Sequence, residues 1–150
     1  MREWMLVLAA LLLASMPAAA QDEDAIGYVK TVEGDAYVLR GEARIRLEPG
    51  APVYRNDALR TGEDGAVGLT LKDSTRLSMG NSTELVLSRF EFVPSENQLG
   101  FVARLTRGTL LYISGVIAKL SAESISLETP VATIAVRGTR FLVRVEGEAP

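Results

Sequence analysis

The chain has 150 residues, 16 of them basic and 19 acidic, a formal charge of −3, and neither histidine nor cysteine. The missing imidazole and thiol exclude Ser-His-Asp and Cys-His nucleophiles, the usual zinc sites and any disulfide framework. The slightly acidic balance argues against a nucleic-acid partner, which normally demands a basic face.

Residues 1–20 read as a signal peptide. Arg2 supplies a basic start, Trp4 to Met16 an apolar stretch far shorter than a bilayer span, and Ala18-Ala19-Ala20 a small-residue cleavage site. The expected address is the periplasm or the exterior, with no transmembrane segment left after cleavage. The remaining chain, about 130 residues, is long enough for one domain with one real core. Residues 21–25 form an acidic, aperiodic stretch that reads as a solvated tail. Residues 26–147 form the expected domain.

From Ile26 onward the sequence is a series of short alternating runs. Gly27 to Val32 and Ala36 to Arg40 flank a turn at Glu33-Gly34-Asp35. Ala43, Ile45 and Leu47 alternate with Arg44, Arg46 and Glu48, and Pro49-Gly50 turns the chain. Asn56-Asp57 is a second turn before Ala58-Leu59-Arg60. Val67, Leu69 and Leu71 share one parity, and Leu77 with Met79 forms the returning face after Asp73-Ser74. Between Thr83 and Val93 the parity breaks: Leu85 and Leu87 share one phase, Phe90 and Phe92 the other. A bulge near Ser88-Arg89 restores the alternation and keeps Arg89 out of the core. Pro94 to Asn97 is the clearest loop. Beyond it Phe101, Ala103 and Leu105 alternate with polar partners, and Arg107-Gly108 reads as a turn. Leu110 to Ile113 and Val116 to Leu120 are apolar on both parities, as expected of central strands covered on both sides. No helical periodicity is convincing after the leader. The expected fold is all-β: a compact, twisted β-helix-like or sandwich-like single domain of many short strands.

The last expected strand pair spans Thr129 to Val145. Ala132, Ile134 and Val136 share a face, then Phe141, Val143 and Val145, with Arg137-Gly138-Thr139 between the two runs. The pattern T-P-x-A-x-I-x-V-R-G-T-x-F-x-V in this stretch resembles the end of the FecR domain, the periplasmic sensory module of ferric-citrate-type regulators. The likeness extends to the first strand at Gly27-Tyr28-Val29 and to an L-x-x-G-x-x-V-x-x-x-D-x-L-x-T segment carrying Leu47, Gly50, Val53, Asp57, Leu59 and Thr61. It continues through Gly65, Leu69 and Leu71, and through Leu105 and Gly108. One departure is Asp73-Ser74-Thr75, where the family usually has Asp-Gly-Ser, a change expected to alter a turn and not the fold. The resemblance marks Asp57, Thr61, Pro130, Arg137, Gly138, Thr139 and Phe141 as its structural motif. It implies a non-enzymatic envelope signalling or protein-binding module, here in a stand-alone form, and implies no cofactor.

Asp57 reads as a turn-capping carboxylate. Arg137 has two readings: a bidentate lock on an internal carboxylate such as Asp57, or recognition of an external one. The backbone-shaping neighbours Gly138 and Thr139 favour the lock. Phe141 reads as core. Arg104, Arg107, Arg140 and Arg144 read as a solvated strand face or, if clustered, as a surface for an anionic partner. The expected partner is another envelope protein or a cell-wall polymer, which leaves glycan binding or structural envelope assembly as the alternative function. A carboxylate-dependent glycan hydrolase needs two inward carboxylates in one cleft, and the alternation offers none. No metal site is expected either.

Overall fold

The computed structural model describes residues 24–147. The expected signal peptide and the first three residues of the acidic tail lie outside that range. Ala25, expected at the end of the tail, is buried, so the packing extends at least that far.

The chain is all-β, as expected. Among the described residues twelve strands form one curled, almost wholly antiparallel sheet. They are β1 (Gly27–Glu33), β2 (Ala36–Arg40), β3 (Ala43–Arg46), β4 (Pro52–Val53), β5 (Ala58–Thr61), β6 (Ala66–Leu71), β7 (Arg76–Met79), β8 (Glu84–Val93), β9 (Gln98–Ile113), β10 (Ile125–Glu128), β11 (Thr133–Ala135) and β12 (Arg140–Val145). The spine is β9, sixteen residues long. Its first half pairs with β8 and, in parallel, with β10; its second half pairs with β7 and β12. The sheet therefore has two arms joined through β9. One runs β4-β1-β6-β7-β9-β12 and the other β3-β2-β5-β8-β9-β10-β11.

Successive strands repeatedly change arm. The turns at Glu33-Gly34-Asp35, at 62–65 and at 80–83 each carry the chain from one arm to the other and do not close hairpins. Most alternating positions read from sequence face a single core that includes Val29, Val38, Leu59, Leu69, Leu77, Leu85, Leu105 and Tyr112. Ala43 and Ile45 do not, because the whole of β3 is exposed at a sheet edge, and Ala132 is exposed as well. Burying each such side chain contributes roughly 1.5–3 kcal/mol before the entropic cost of ordering it.

Two parity breaks have a common cause. In β8 the pairing with β9 skips Ser88, so Leu87 and Phe90 both point inward and Arg89 stays exposed. This is the expected bulge. The second break corrects the turn read at Arg107-Gly108. There is no turn: β9 runs through, and the register slips between Glu84 opposite Arg107 and Leu85 opposite Leu105. That slip switches the inward phase from Leu105 to Leu110 and Tyr112, and lets one strand serve both arms.

Val116–Leu120 is also corrected. It is a five-residue helix, α1, and not a central strand. Its N-terminus is held from far along the chain. The Asp73 carbonyl accepts from Val116 N at 2.8 Å, and the Asp73 carboxylate accepts from Ile117 N at 3.2 Å. The same carboxylate accepts from the Thr75 amide and hydroxyl at 3.1 and 2.8 Å. Gly115 allows this approach, because a Cβ there would collide with the Asp73 carbonyl and the Thr75 amide.

Candidate functional site

The motif residues of the N-terminal half are structural. Asp57 is buried, 1% exposed, and accepts from Arg40 Nε at 2.9 Å, Arg40 Nη2 at 2.7 Å and the Tyr54 amide at 2.9 Å. The amide contact is the expected turn capping. The bidentate lock exists too, but its cation is Arg40 and not Arg137. The Arg40 guanidinium also lies 4.3 Å from the centre of the Tyr54 ring. Arg40 was legible in principle. It shares the parity of Ala36 and Val38, both buried, and a cation on an inward parity calls for a buried carboxylate.

Thr61 ties together the crossing strands. Its hydroxyl donates to the Gly80 carbonyl at 2.6 Å and accepts from the Thr83 amide at 2.9 Å. The Thr83 hydroxyl in turn accepts from the Thr109 amide at 3.0 Å. This threonine relay satisfies backbone groups where β7, β8 and β9 change arms.

The C-terminal motif is arranged differently from the strand pair read in the sequence. β11 and β12 do not pair with each other. β11 adds to β10 in one arm, β12 adds to β9 in the other, and Arg137-Gly138-Thr139 carries the chain across. Gly138 has φ +113° with open space around it, so backbone conformation and not crowding demands glycine. Arg137 is exposed and forms no ion pair with any described residue. Phe141 is half-buried, less than a core position. It stacks on Tyr112 with centroids 4.8 Å apart, and Tyr112 stacks on Phe101 at 6.3 Å. Burial, with the Asp73 carboxylate adding to it, pushes the Tyr112 hydroxyl up to about 12. No hydrogen bond of good geometry reaches that hydroxyl among the described residues, although the nearby Thr75 side chain partly offsets the rise.

Because β11 and β12 diverge, they leave a groove of about 660 Å³ between the β10–β11 turn and β12. Pro130, Val131, Ile134, Val143 and Val145 make it mainly apolar, with Arg107, Arg144 and Glu146 also at its lining. Val131 is 91% exposed. The inward side chains of β12, namely Phe141, Val143 and Val145, pack on the core yet remain only half-buried. Among the described residues no strand covers the outer edge of β12 or of β11. The four arginines read as one possible cluster are divided. Arg104 pairs with Glu128 at 3.1 Å, Arg140 and Arg144 stand on β12, and Arg107 and Arg144 share the lining of the groove.

The family model described as FecR protein matches residues 57–150, more than half of the chain. The chain belongs to the FecR family. The match opens at Asp57, the carboxylate of the lock, and takes in all of the groove-forming segment. The upstream likeness at Gly27–Val53 lies outside it. No curated protein and no solved structure matches the chain. Membership supports a regulatory or signalling role connected with the cell envelope. Among the described residues of this FecR domain no three acidic side chains gather to hold a metal ion. No helix there is long and apolar enough to cross a membrane.

Proposed function

We propose that this FecR domain is an exported, non-catalytic binding module. It recognises an extended segment of another envelope protein at the groove between β11 and β12. The observation that carries this is the pairing of an apolar groove with the uncovered edge of β12. A strand laid along that edge gains backbone hydrogen bonds, and its alternate side chains enter the groove beside Val143 and Val145. The leader-like residues 1–20 support export.

The test is capture from an envelope extract by the purified chain and by Val131→Asp. Val131 is almost wholly exposed, so the variant is expected to melt like the parent while losing its partner. Retention of the same partner by a normally folded Val131→Asp chain overturns the groove as the recognition site.

One observation favours a second reading, an acidic cell-wall polymer as ligand. Cross-strand register places Arg46, Tyr37, Arg60, Glu84 and Arg107 in one row over the outer face of the other arm. Arg44 lies over the Tyr37 ring at 3.8 Å. Binding of an anionic polysaccharide that falls with Arg46→Glu and survives Val131→Asp would select this reading over the first.

A further inference from the structure

The partner chemistry that β12 fits best is its own. Resting on the reading of β12 as a free edge that receives a strand, we propose that a second copy of this chain docks there. The two β12 strands then run antiparallel about a two-fold axis at Val143.

Backbone direction fixes which residues can pair across the edge. Ser114 N donates to the Thr139 carbonyl at 2.9 Å, and Gly80 N donates to the Thr109 carbonyl at 3.0 Å. Odd residues of β9 thus bond toward β7 and even ones toward β12. In the register of Arg140 opposite Ile113, the inward-bonding residues of β12 are Phe141, Val143 and Val145. Arg140, Leu142, Arg144 and Glu146 direct their amides and carbonyls to the open edge.

Overlap and charge then select among the registers that this parity allows: two-folds at Phe141 or Val145 leave three or fewer residues of β12 facing their copies, and charge decides between the rest. Centring the two-fold on Leu142 sets Arg140 opposite Arg144 twice. Centring it on Arg144 sets that arginine against itself. Like charges directly opposed are destabilising. Centring it on Val143 sets Arg140 opposite Glu146 of the second copy, twice by symmetry, and lays the Arg144 stem on Leu142. On the inner face Phe141 meets Val145 and Val143 meets itself. This register gives cover to Leu142, which is 66% exposed, and to the half-buried Phe141, Val143 and Val145. The contact is isologous, so it closes as a dimer and does not propagate. It also occupies the edge offered to another envelope protein, so self-association and partner capture exclude each other.

A six-residue edge makes a small interface, so the dimer is weak and is sought over a concentration series by sedimentation equilibrium. The parent chain is expected to pass from monomer to dimer. Arg140→Glu is expected to weaken the dimer by about tenfold, since two favourable pairs become two repulsive ones. Adding Glu146→Arg to it is expected to restore association. The chain has no cysteine, so any disulfide formed by a single introduced thiol joins two copies. Val143→Cys is expected to cross-link, because a non-hydrogen-bonded pair has Cα atoms about 4.5 Å apart, within disulfide reach. Leu142→Cys and Val131→Cys are expected not to. A parent chain that stays monomeric throughout, cross-linking through Leu142→Cys in preference, or a charge swap that fails to restore the dimer overturns the proposal. A strictly monomeric chain that still captures an envelope protein through Val131 sinks the dimer and leaves the binding function standing. A dimer that captures nothing at any concentration sinks the binding function instead.

Discussion

Arg40→Ala is expected to be among the most damaging single changes away from the apolar core, and Arg137→Ala among the mildest. The Asp57 carboxylate is 1% exposed, and two of its three hydrogen bonds come from Arg40. Removing the guanidinium leaves a buried charge with a single amide donor, which costs about 3–5 kcal/mol. For a domain of this size that is a fall in melting temperature on the order of 10–20 °C. Asp57→Ala is expected to cost less, about 2–3 kcal/mol. The Arg40 side chain is 36% exposed, so it can reach water and keep its place over Tyr54, and the main loss is the stranded Tyr54 amide. The double variant should cost less than the two single losses summed, because one interaction is counted twice. Arg137, exposed and without an ion-pair partner among the described residues, should change stability by less than about 0.5 kcal/mol. Urea unfolding of the four variants measures all of this. A destabilisation at Arg137 larger than at Arg40 would refute the assignment of the lock.

Ser74 sits at φ +71° in the β6–β7 turn, a conformation that favours glycine, so Ser74→Gly should raise stability by about 0.5–1 kcal/mol in denaturant titration. Phe141→Ala should cost about 2–3 kcal/mol, below the 3–5 expected for a fully buried ring, because the side chain is half-buried and its chief contact is Tyr112. The folded-state value of Tyr112 is raised to about 12, so its contribution is complete below its unfolded value near 10 and is lost as pH climbs through the folded one. Stability should therefore fall by up to about 1.4 kcal/mol per pH unit between roughly 10 and 12, and Tyr112→Phe should flatten that slope with a change of less than about 1 kcal/mol at neutral pH, since no hydrogen bond of good geometry is lost.

The amino-acid order by itself determined most of the side chains that go inside, though not at the edge strand β3, where Ile45 alternates and is still exposed. Alternation of Val67, Leu69 and Leu71, or of Leu85 and Leu87 with the phase break before Phe90, is a local property of a pleated backbone, and it survives any choice of neighbouring strand. The family motif was legible for the same reason, since it consists largely of these inward positions and the turns between them. Only the tertiary structure decided partners. Arg40 reaches Asp57 across 17 positions and Asp73 caps α1 across 44; the inward parity of Arg40 calls for a carboxylate, but nothing near either residue in the chain says which one it meets. The split of β11 from β12 is likewise invisible locally, because an alternating strand satisfies its side chains equally well in either arm, and only the arrangement of the other strands fixes which edge it joins. The groove exists because those two strands join different edges, so it belongs to the fold and to no single stretch of sequence.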